Sequence, residues 1–369
     1  MGSTELGSFI EKLQRERGDT HVVGDDVCEF QYDKLLDVLP KGKAVAIRSV
    51  EGDKTTSFAR LHKFVSSDFN LAQFGVNHGD RCALVLPNTA ENAVCVFATS
   101  CYSTCVPLHL HSTPDEVEFE MENTNCAAVI IFHEGDGRAA GIEAAARLKV
   151  PVIELKPRQS DVGLFDLACP KTIGGRPQPS KAAGKKQLNQ RGDNILVLHT
   201  SGTSGKKKAV PYTAQTLVVG AGCIGASWGL KSTDCCLIIM PLCHIGGLAR
   251  NIYSVLFTGG SSHWRDCHFA DALSPSILKH LLKGGGCSRM TELSPTGAGG
   301  SLICVESFTA NPDQFWEICT KQPVTWYYGG PTFHQMILDS GRSNFTKQQR
   351  SKVRTFAPGG CGCLPQRFQ

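Results

Sequence analysis

Two packed α/β lobes with mainly parallel sheets are the fold class predicted by three properties of this 369-residue sequence. Short apolar runs alternate with segments of helical periodicity, the pattern of a parallel, doubly wound sheet. The length exceeds a typical single domain, while a hydrophobic fraction of 41% is ordinary for a globular chain. A stretch rich in Pro, Gly, Lys and Gln over 156–192 reads as an exposed connection between lobes. The expected organisation is an N-terminal segment over 1–55, a first lobe over 56–155, that connection, and a second lobe over 193–369.

Residues 1 to about 50 carry one short helical stretch, Phe9 to Arg15, within mixed polar sequence. Phe58, Leu61, Val65, Phe69, Leu71 and Phe74 then recur at roughly helical spacing, and Gly75 ends the run. Asp80 to Leu86 reads as a strand stopped by Pro87, after which Asn88 or Thr89 is placed to cap a helix running through Ala98 and Cys101. A second strand is expected near Val106-Pro107-Leu108. Thr113-Pro114-Asp115-Glu116 opens a helix with a capping threonine, a first-turn proline and acidic residues that suit the helix dipole. Ala127 to Phe132 and Val152 to Leu155 complete the first lobe as buried strands.

In the second lobe Asn194 to Leu198 is an apolar strand, and Thr213 is placed to cap a helix reaching about Trp228. Cys236 to Met240 forms a strand leading into Pro241-Leu242-Cys243-His244-Ile245-Gly246-Gly247-Leu248. Residues 265–300, with Gly284-Gly285-Gly286 and Gly297-Ala298-Gly299-Gly300, read as an insertion. Phe315 to Ile318 begins a helix, Val324 to Tyr328 is a strand ending in Gly329-Gly330-Pro331-Thr332, and Val353 to Cys361 is a strand followed by a Gly-Gly turn.

Composition excludes several functions. A net charge of +4 is too small, and the basic residues too scattered, to indicate nucleic acid. No apolar run reaches the ~20 residues of a membrane span, and the N-terminus lacks the basic-then-apolar order of a signal peptide. A cytoplasmic protein is expected. The 17 cysteines sit mostly inside apolar runs without paired Cys-x-x-Cys spacing, which favours buried, reduced thiols over disulfides and offers no metal site. Oligomeric state is not legible.

The densest chemical signal is His199-Thr200-Ser201-Gly202-Thr203-Ser204-Gly205-Lys206-Lys207-Lys208, directly after the Asn194–Leu198 strand. Glycines let backbone N–H groups turn toward bound oxygens, four hydroxyls add donors and the lysines add charge, which suits a polyphosphate. A solvated turn has the same composition. A Walker loop needs four residues between its first glycine and the Gly-Lys pair, whereas two separate Gly202 from Gly205, and a Gly-x-Ser-x-Gly nucleophile elbow is absent.

The loop resembles the phosphate-binding motif of the adenylate-forming superfamily, Thr-Ser-Gly-Ser/Thr-Thr-Gly-x-Pro-Lys-Gly, with Ser204 for a threonine, Lys207 for the proline and Ala209 for the last glycine. Gly79-Asp80-Arg81-Cys82-Ala83 with Pro87-Asn88, the Pro241-to-Leu248 segment, and the Tyr328-to-Thr332 and Gly359-Gly360 turns resemble further segments of that superfamily in the same order. The likeness is to its acyl-CoA synthetase branch and spans about residues 55–369, the N-terminal-domain part of the fold.

The resemblance implies ATP-dependent activation of a small-molecule carboxylic acid to an acyl-adenylate and transfer to coenzyme A, with Mg2+ beside the phosphates. It implies that Thr200, Ser201, Gly202, Thr203, Ser204, Gly205 and Lys208 hold the phosphates and that Gly359, Gly360 and Cys361 lie along the adenine. His244 and Lys208 take the catalytic roles, and His244, Tyr328, Gly329, Gly330 and Thr332 border the acid. The superfamily's Tyr-Gly-x-Thr-Glu and Thr-Gly-Asp segments and its C-terminal lysine follow the Gly-Gly turn and are not matched, so a truncated chain with impaired activity is expected. Met290-Thr291-Glu292 lies out of order and takes no role. A non-catalytic nucleotide-binding relative and a peptide-synthetase-like adenylation domain are the alternatives.

Overall fold

A computed structural model describes residues 32–179, 181–200, 207–228, 230–257, 300–305, 312–344, 354–356 and 366–367. Its strands are β1 Val45–Arg48, β2 Thr55–Ser57, β3 Arg81–Val85, β4 Thr104–Pro107, β5 Cys126–Phe132, β6 Val152–Pro157, β7 Phe165–Ala168, β8 Thr172–Ile173 and β9 Arg176–Pro177. They continue as β10 Asn194–His199, β11 Ala209–Thr213, β12 Cys235–Ile238, β13 Ser301–Cys304, β14 Trp326–Tyr328, β15 Arg354–Phe356 and β16 Gln366–Arg367. The helices are α1 Phe58–Lys63, α2 Ala90–Tyr102, α3 Pro114–Asn123, α4 Arg138–Leu148, α5 Ala214–Trp228, α6 Ser254–Phe257, α7 Asp313–Lys321 and α8 Pro331–Asn344.

The described strands form two seven-stranded sheets and one small hairpin, β8–β9. The first sheet runs β11-β10-β4-β3-β5-β6-β7, and the second runs β16-β15-β14-β12-β13-β1-β2. In the first, β10, β4, β3, β5 and β6 pair in parallel, while β11 and β7 are antiparallel edges. The second repeats this plan, with β15, β14, β12, β13 and β1 parallel between the antiparallel edges β16 and β2. The centres of the inner strands are largely apolar, as in Cys82–Val85 and Ala128–Ile131, because helices cover both faces of a parallel sheet.

One helix joins the two sheets. Every residue of α2 from Asn92 to Tyr102 is buried, so it has no solvent face and lies in the core cluster that also takes in β4, β10 and β13. Thr89 caps its start by accepting from the Asn92 N–H. At its other end the buried Asn189 side chain donates 2.9 Å bonds to the carbonyls of Ser100 and Ser103, meeting acceptors that a helix terminus leaves open. The outer face of the first sheet is covered by α3 and α4, through Val117, Met121, Ala140, Ala144 and Ala145. The outer face of the second carries α7 and α8, through Phe315, Trp316, Ile318 and Ile337.

Sheet membership departs from the expected division at residue 193. The β10–β11 hairpin completes the first sheet, and β1 and β2, from the supposed N-terminal segment, complete the second. Both shifts have one cause: pairing across space, such as Leu196 with Cys105 and Ile47 with Leu302, decides membership irrespective of chain order. The connection over 156–192 is also less exposed than its composition suggests, since it supplies edge strand β7 and buries Leu164 and Phe165. The stretch Phe9 to Arg15 and nearly all of the inserted 265–300 lie outside the described residues.

The two sheets are further tied by a buried hydroxyl relay. The Tyr253 hydroxyl donates to Ser100 Oγ at 3.0 Å, and Ser100 donates in turn to the Ile195 carbonyl at 3.1 Å. Tyr253→Phe is expected to cost about 1 kcal/mol in urea unfolding, the net worth of one buried hydrogen bond. An unchanged urea midpoint would show that the relay contributes nothing.

Candidate functional site

Parallel α/β sheets bind ligands beyond the carboxyl ends of their strands. At that edge of the first sheet β10 ends at His199, and the chain returns at Lys207 to enter β11 with His199 paired to Ala209. Two bonds close the base of the loop: the Thr200 N–H donates to the Lys208 carbonyl at 2.9 Å, and the Lys208 N–H donates to Thr200 Oγ1 at 3.1 Å. Thr200 and Lys208 are both exposed there. Ser201, Gly202, Thr203, Ser204 and Gly205 lie outside the described residues, as do Gly359, Gly360 and Cys361.

Lys207 is anchored from below by α3. Its Nζ meets Glu120 Oε1 at 2.6 Å and Glu116 Oε1 at 3.9 Å. The two glutamates stand four apart and so share one face of the helix. Thr113 and Glu116 form a reciprocal capping box, in which the Thr113 N–H donates to Glu116 Oε2 at 2.9 Å. That bond is the main reason the Glu116 carboxyl is held below its ordinary range, with Lys207 adding to it. The Glu120 hydrogen bond in turn raises the Lys207 pKa.

His199 closes the cluster. Its side chain is 6% exposed and that of Glu120 4%, with Nδ1 3.9 Å from Glu120 Oε2, too far for a hydrogen bond. Neither ring nitrogen has a partner among the described residues. Burial holds the His199 pKa below its ordinary value, against the attraction of Glu120 and with the repulsion of Lys207, so the ring is neutral at pH 7.

The second sheet contributes the turn from Pro241 to His244. The His244 N–H donates to the Pro241 carbonyl at 3.3 Å, and the His244 carbonyl accepts from Leu248 at 3.1 Å, starting the π-helical segment Gly246–Tyr253. The turn fits because position 247 is glycine: a Cβ there would come within 2.4 Å of the Pro241 carbonyl oxygen. His244 is exposed on this turn. Partial desolvation of its ring and the neighbouring His109, just past β4, keep its pKa below the ordinary value. Burial pushes the adjacent Cys243 thiol up to about 11, with Glu120 raising it and Lys207 lowering it. The turn of one sheet therefore stands beside the strand ends of the other.

Tyr328 is placed differently from a ligand-lining residue in open solvent. Its ring is buried, stacks on Trp228 at a centroid distance of 5.8 Å and lies under the Arg250 guanidinium at 4.9 Å. Gly329 packs on Phe333, and Thr332 is exposed in the first turn of α8. The expectation of reduced cysteines fits the described ones, all of which are free. Among the described residues no group of three or more His, Cys, Asp or Glu could hold a metal, and no helix is long and apolar enough to cross a membrane.

Glu120 and Arg250 are absent from the residues that the sequence singles out for the site, and His199 and Cys243 stand in its motifs without an assigned role. The Glu116/Glu120 spacing is the one signal that could have suggested an acidic face on α3, and nothing in it indicates a partner 87 positions away.

Comparison with known proteins agrees with this architecture. Oxalate–CoA ligase of Arabidopsis thaliana is 26% identical over 300 residues, covering 80% of this chain and 49% of that protein. A probable CoA ligase, CCL9, of Humulus lupulus is 26% identical over 296 residues, covering 79% and 47%. ATP-bound MatB from Rhodopseudomonas palustris superposes with a TM-score of 0.61 at 20% identity over 88% of this chain and 55% of its own, a likeness of fold. The chain thus spans about half the length of the curated relatives it matches. The AMP-binding enzyme family matches residues 40–288, and with that match, on a fold built of the same paired sheets, the chain belongs to the AMP-binding enzymes.

Proposed function

We propose that this chain carries the nucleotide- and acid-binding part of an AMP-forming carboxylate–CoA ligase. The observation that carries the reading is the meeting of the β10–β11 loop base, with Thr200 and Lys208 exposed, and the His244 turn of the second sheet at one edge. ATP supplies the leaving group that makes a poor electrophile, the carboxylate, reactive. Thr200 and Lys208 would bind the phosphates, the hydroxyl donating and the ammonium offsetting charge that builds as pyrophosphate leaves. Ser201, Gly202, Thr203, Ser204 and Gly205 are assigned to the same cradle, and Gly359, Gly360 and Cys361 to the adenine.

His244 would line the acid as a neutral ring, in keeping with its lowered pKa. Gly329 and Gly330, in the turn between β14 and α8, and Thr332, in the first turn of α8, would border the acid, with the Tyr328 ring as the wall behind them. Mg2+ would enter with the phosphates, and coenzyme A would accept the acyl group.

ATP–pyrophosphate exchange with a panel of carboxylic acids tests the reading, together with ATP binding by calorimetry. ATP binding is expected, with exchange for at least one acid, and Lys208→Ala should weaken ATP binding about tenfold, the worth of one charge-assisted contact. No ATP binding by the wild-type chain would sink it. A second reading, a nucleotide-binding relative without catalysis, is favoured by one feature: Lys207 is spent on Glu120 and unavailable to a phosphate. Binding without exchange for any acid would select it.

A further inference from the structure

Lys207 and Lys208 are neighbours in the chain, yet they are engaged in different places. Lys208 is exposed, with its backbone N–H on Thr200 Oγ1 at 3.1 Å and its carbonyl on the Thr200 N–H at 2.9 Å. Lys207 reaches α3 instead, where its Nζ meets Glu120 Oε1 at 2.6 Å. The carboxylate it meets there is a fixed one. The Glu120 side chain is 4% exposed, its backbone carbonyl accepts from Thr124 Oγ1 at 2.6 Å, and Val117 and Met121 beside it are wholly buried against the first sheet. Glu116, one turn earlier, has one carboxylate oxygen held in the capping box and the other 3.9 Å from the same Nζ.

By charge alone this arrangement is ill suited to a phosphate. Glu120 puts a buried negative charge under the base of the loop, and a carboxylate left uncompensated there would repel an anion. Lys207 offsets that charge, so the pair adds little net field and the attraction falls to Lys208. What the pair does supply is position. A short, charge-assisted bond from a packed helix to the residue next to Lys208 fixes where the chain re-enters β11. A site held in place before its ligand arrives binds more tightly, because less ordering remains to be done on binding.

We propose that Glu120 is a positioning residue for the nucleotide: through Lys207 it holds Thr200 and Lys208 in the arrangement that receives the polyphosphate of ATP. The inference rests on the assignment of Thr200 and Lys208 to the phosphates under the ligase reading. It adds to that site a residue of α3 that touches no ligand itself and acts on a partner 87 positions away. Its signature is one of sign. Glu120→Gln removes a negative charge and by field alone would tighten ATP binding, whereas Lys207→Met removes a positive charge and by field alone would weaken it. Where position governs, both substitutions weaken it.

The test is ATP affinity by calorimetry on the chain, with the urea midpoint measured on the same samples. Lys207→Met and Glu120→Gln are each expected to weaken ATP binding about fivefold or more, and Lys207→Arg, which keeps the ion pair, should stay within about twofold of wild type. Glu120→Leu with Lys207→Met separates position from stability: its urea midpoint should return toward the wild-type value while ATP binding stays about fivefold weaker. Unchanged or tighter ATP binding by Glu120→Gln, wild-type affinity in the double variant, or Lys207→Arg weakened as far as Lys207→Met overturns the assignment. Should Glu120→Gln fail to fold, the double variant and Lys207→Arg decide. In each overturning case ATP binding by wild type leaves the nucleotide reading standing, whereas no ATP binding by wild type overturns that reading and the positioning role with it.

Discussion

Gly247→Ala should destabilise the chain by about 3 kcal/mol, at the upper end of what overpacking costs. The added Cβ would lie 2.4 Å from the Pro241 carbonyl oxygen, 3.1 Å from its carbon and 3.2 Å from the Met240 carbonyl oxygen. All three are backbone atoms, so no rotamer change relieves the contact. The turn from Pro241 to His244 must open, and His244 must move with it. A shift in the urea midpoint checks the stability, and acid affinity by calorimetry checks the displacement. Gly220→Ala is the matched control: it lies inside α5 with nothing within 4 Å of its added Cβ. There alanine should stabilise by about 0.5–1 kcal/mol, because glycine loses more backbone freedom in a helix. Wild-type stability for Gly247→Ala would mean that the turn is loose, and with it the placement of His244.

Lys207→Met should cost about 2 kcal/mol. Removing one partner of a buried ion pair typically costs ~3–5 kcal/mol because the other charge is left behind. Here the figure is lower, since the Lys207 side chain is 34% exposed and water can enter beside Glu120. The sign with pH is fixed by the raised lysine pKa. A folded-state pKa above the unfolded value gives stability that is complete below the ordinary lysine value and lost as pH rises through the folded one. The difference between wild type and Lys207→Met in urea unfolding should therefore hold at pH 7 and 8 and shrink above about pH 10.5. Glu120→Leu with Lys207→Met should recover most of the loss, as a charge pair replaced by apolar groups often does. An additive loss in the double variant would refute the pairing as its source.

What was legible in the sequence follows the range of the interactions. Helices α2 and α3 are written locally: Thr89 and Thr113 cap them, and Pro114 and Glu116 mark the first turn of α3. The inner strands of the first sheet are legible because both faces are buried and nearly every residue is apolar. Edge strands are not. β11, Ala209–Thr213, contains a proline and alternates exposed with half-buried residues, and β2 has three residues of which one is buried. Both depend on partners already in place.

The same rule divides the site. Thr200, Lys208 and His244 sit in motifs whose residue order carries the signal. Glu120 and Arg250 do not, because each matters through a side chain far off in sequence, Lys207 for one and Tyr328 for the other. The stacking of Tyr328 on Trp228 was not legible, since it depends on how the second sheet packs.

The pairing of Ile47 with Leu302 has a consequence for biosynthesis. At about 5–20 residues per second, a ribosome needs roughly 10 to 50 seconds to travel from β1 to β13. Through that interval β1 has only β2 beside it, and its other edge, destined for the interior of a sheet, is bare. The first sheet draws all its strands from residues 81–213 and can close much earlier. A nascent chain of this protein therefore spends much of its synthesis with half the molecule formed and the β1–β2 hairpin, with Ala46 and Ile47 not yet covered, waiting, the state in which chaperones have most to protect.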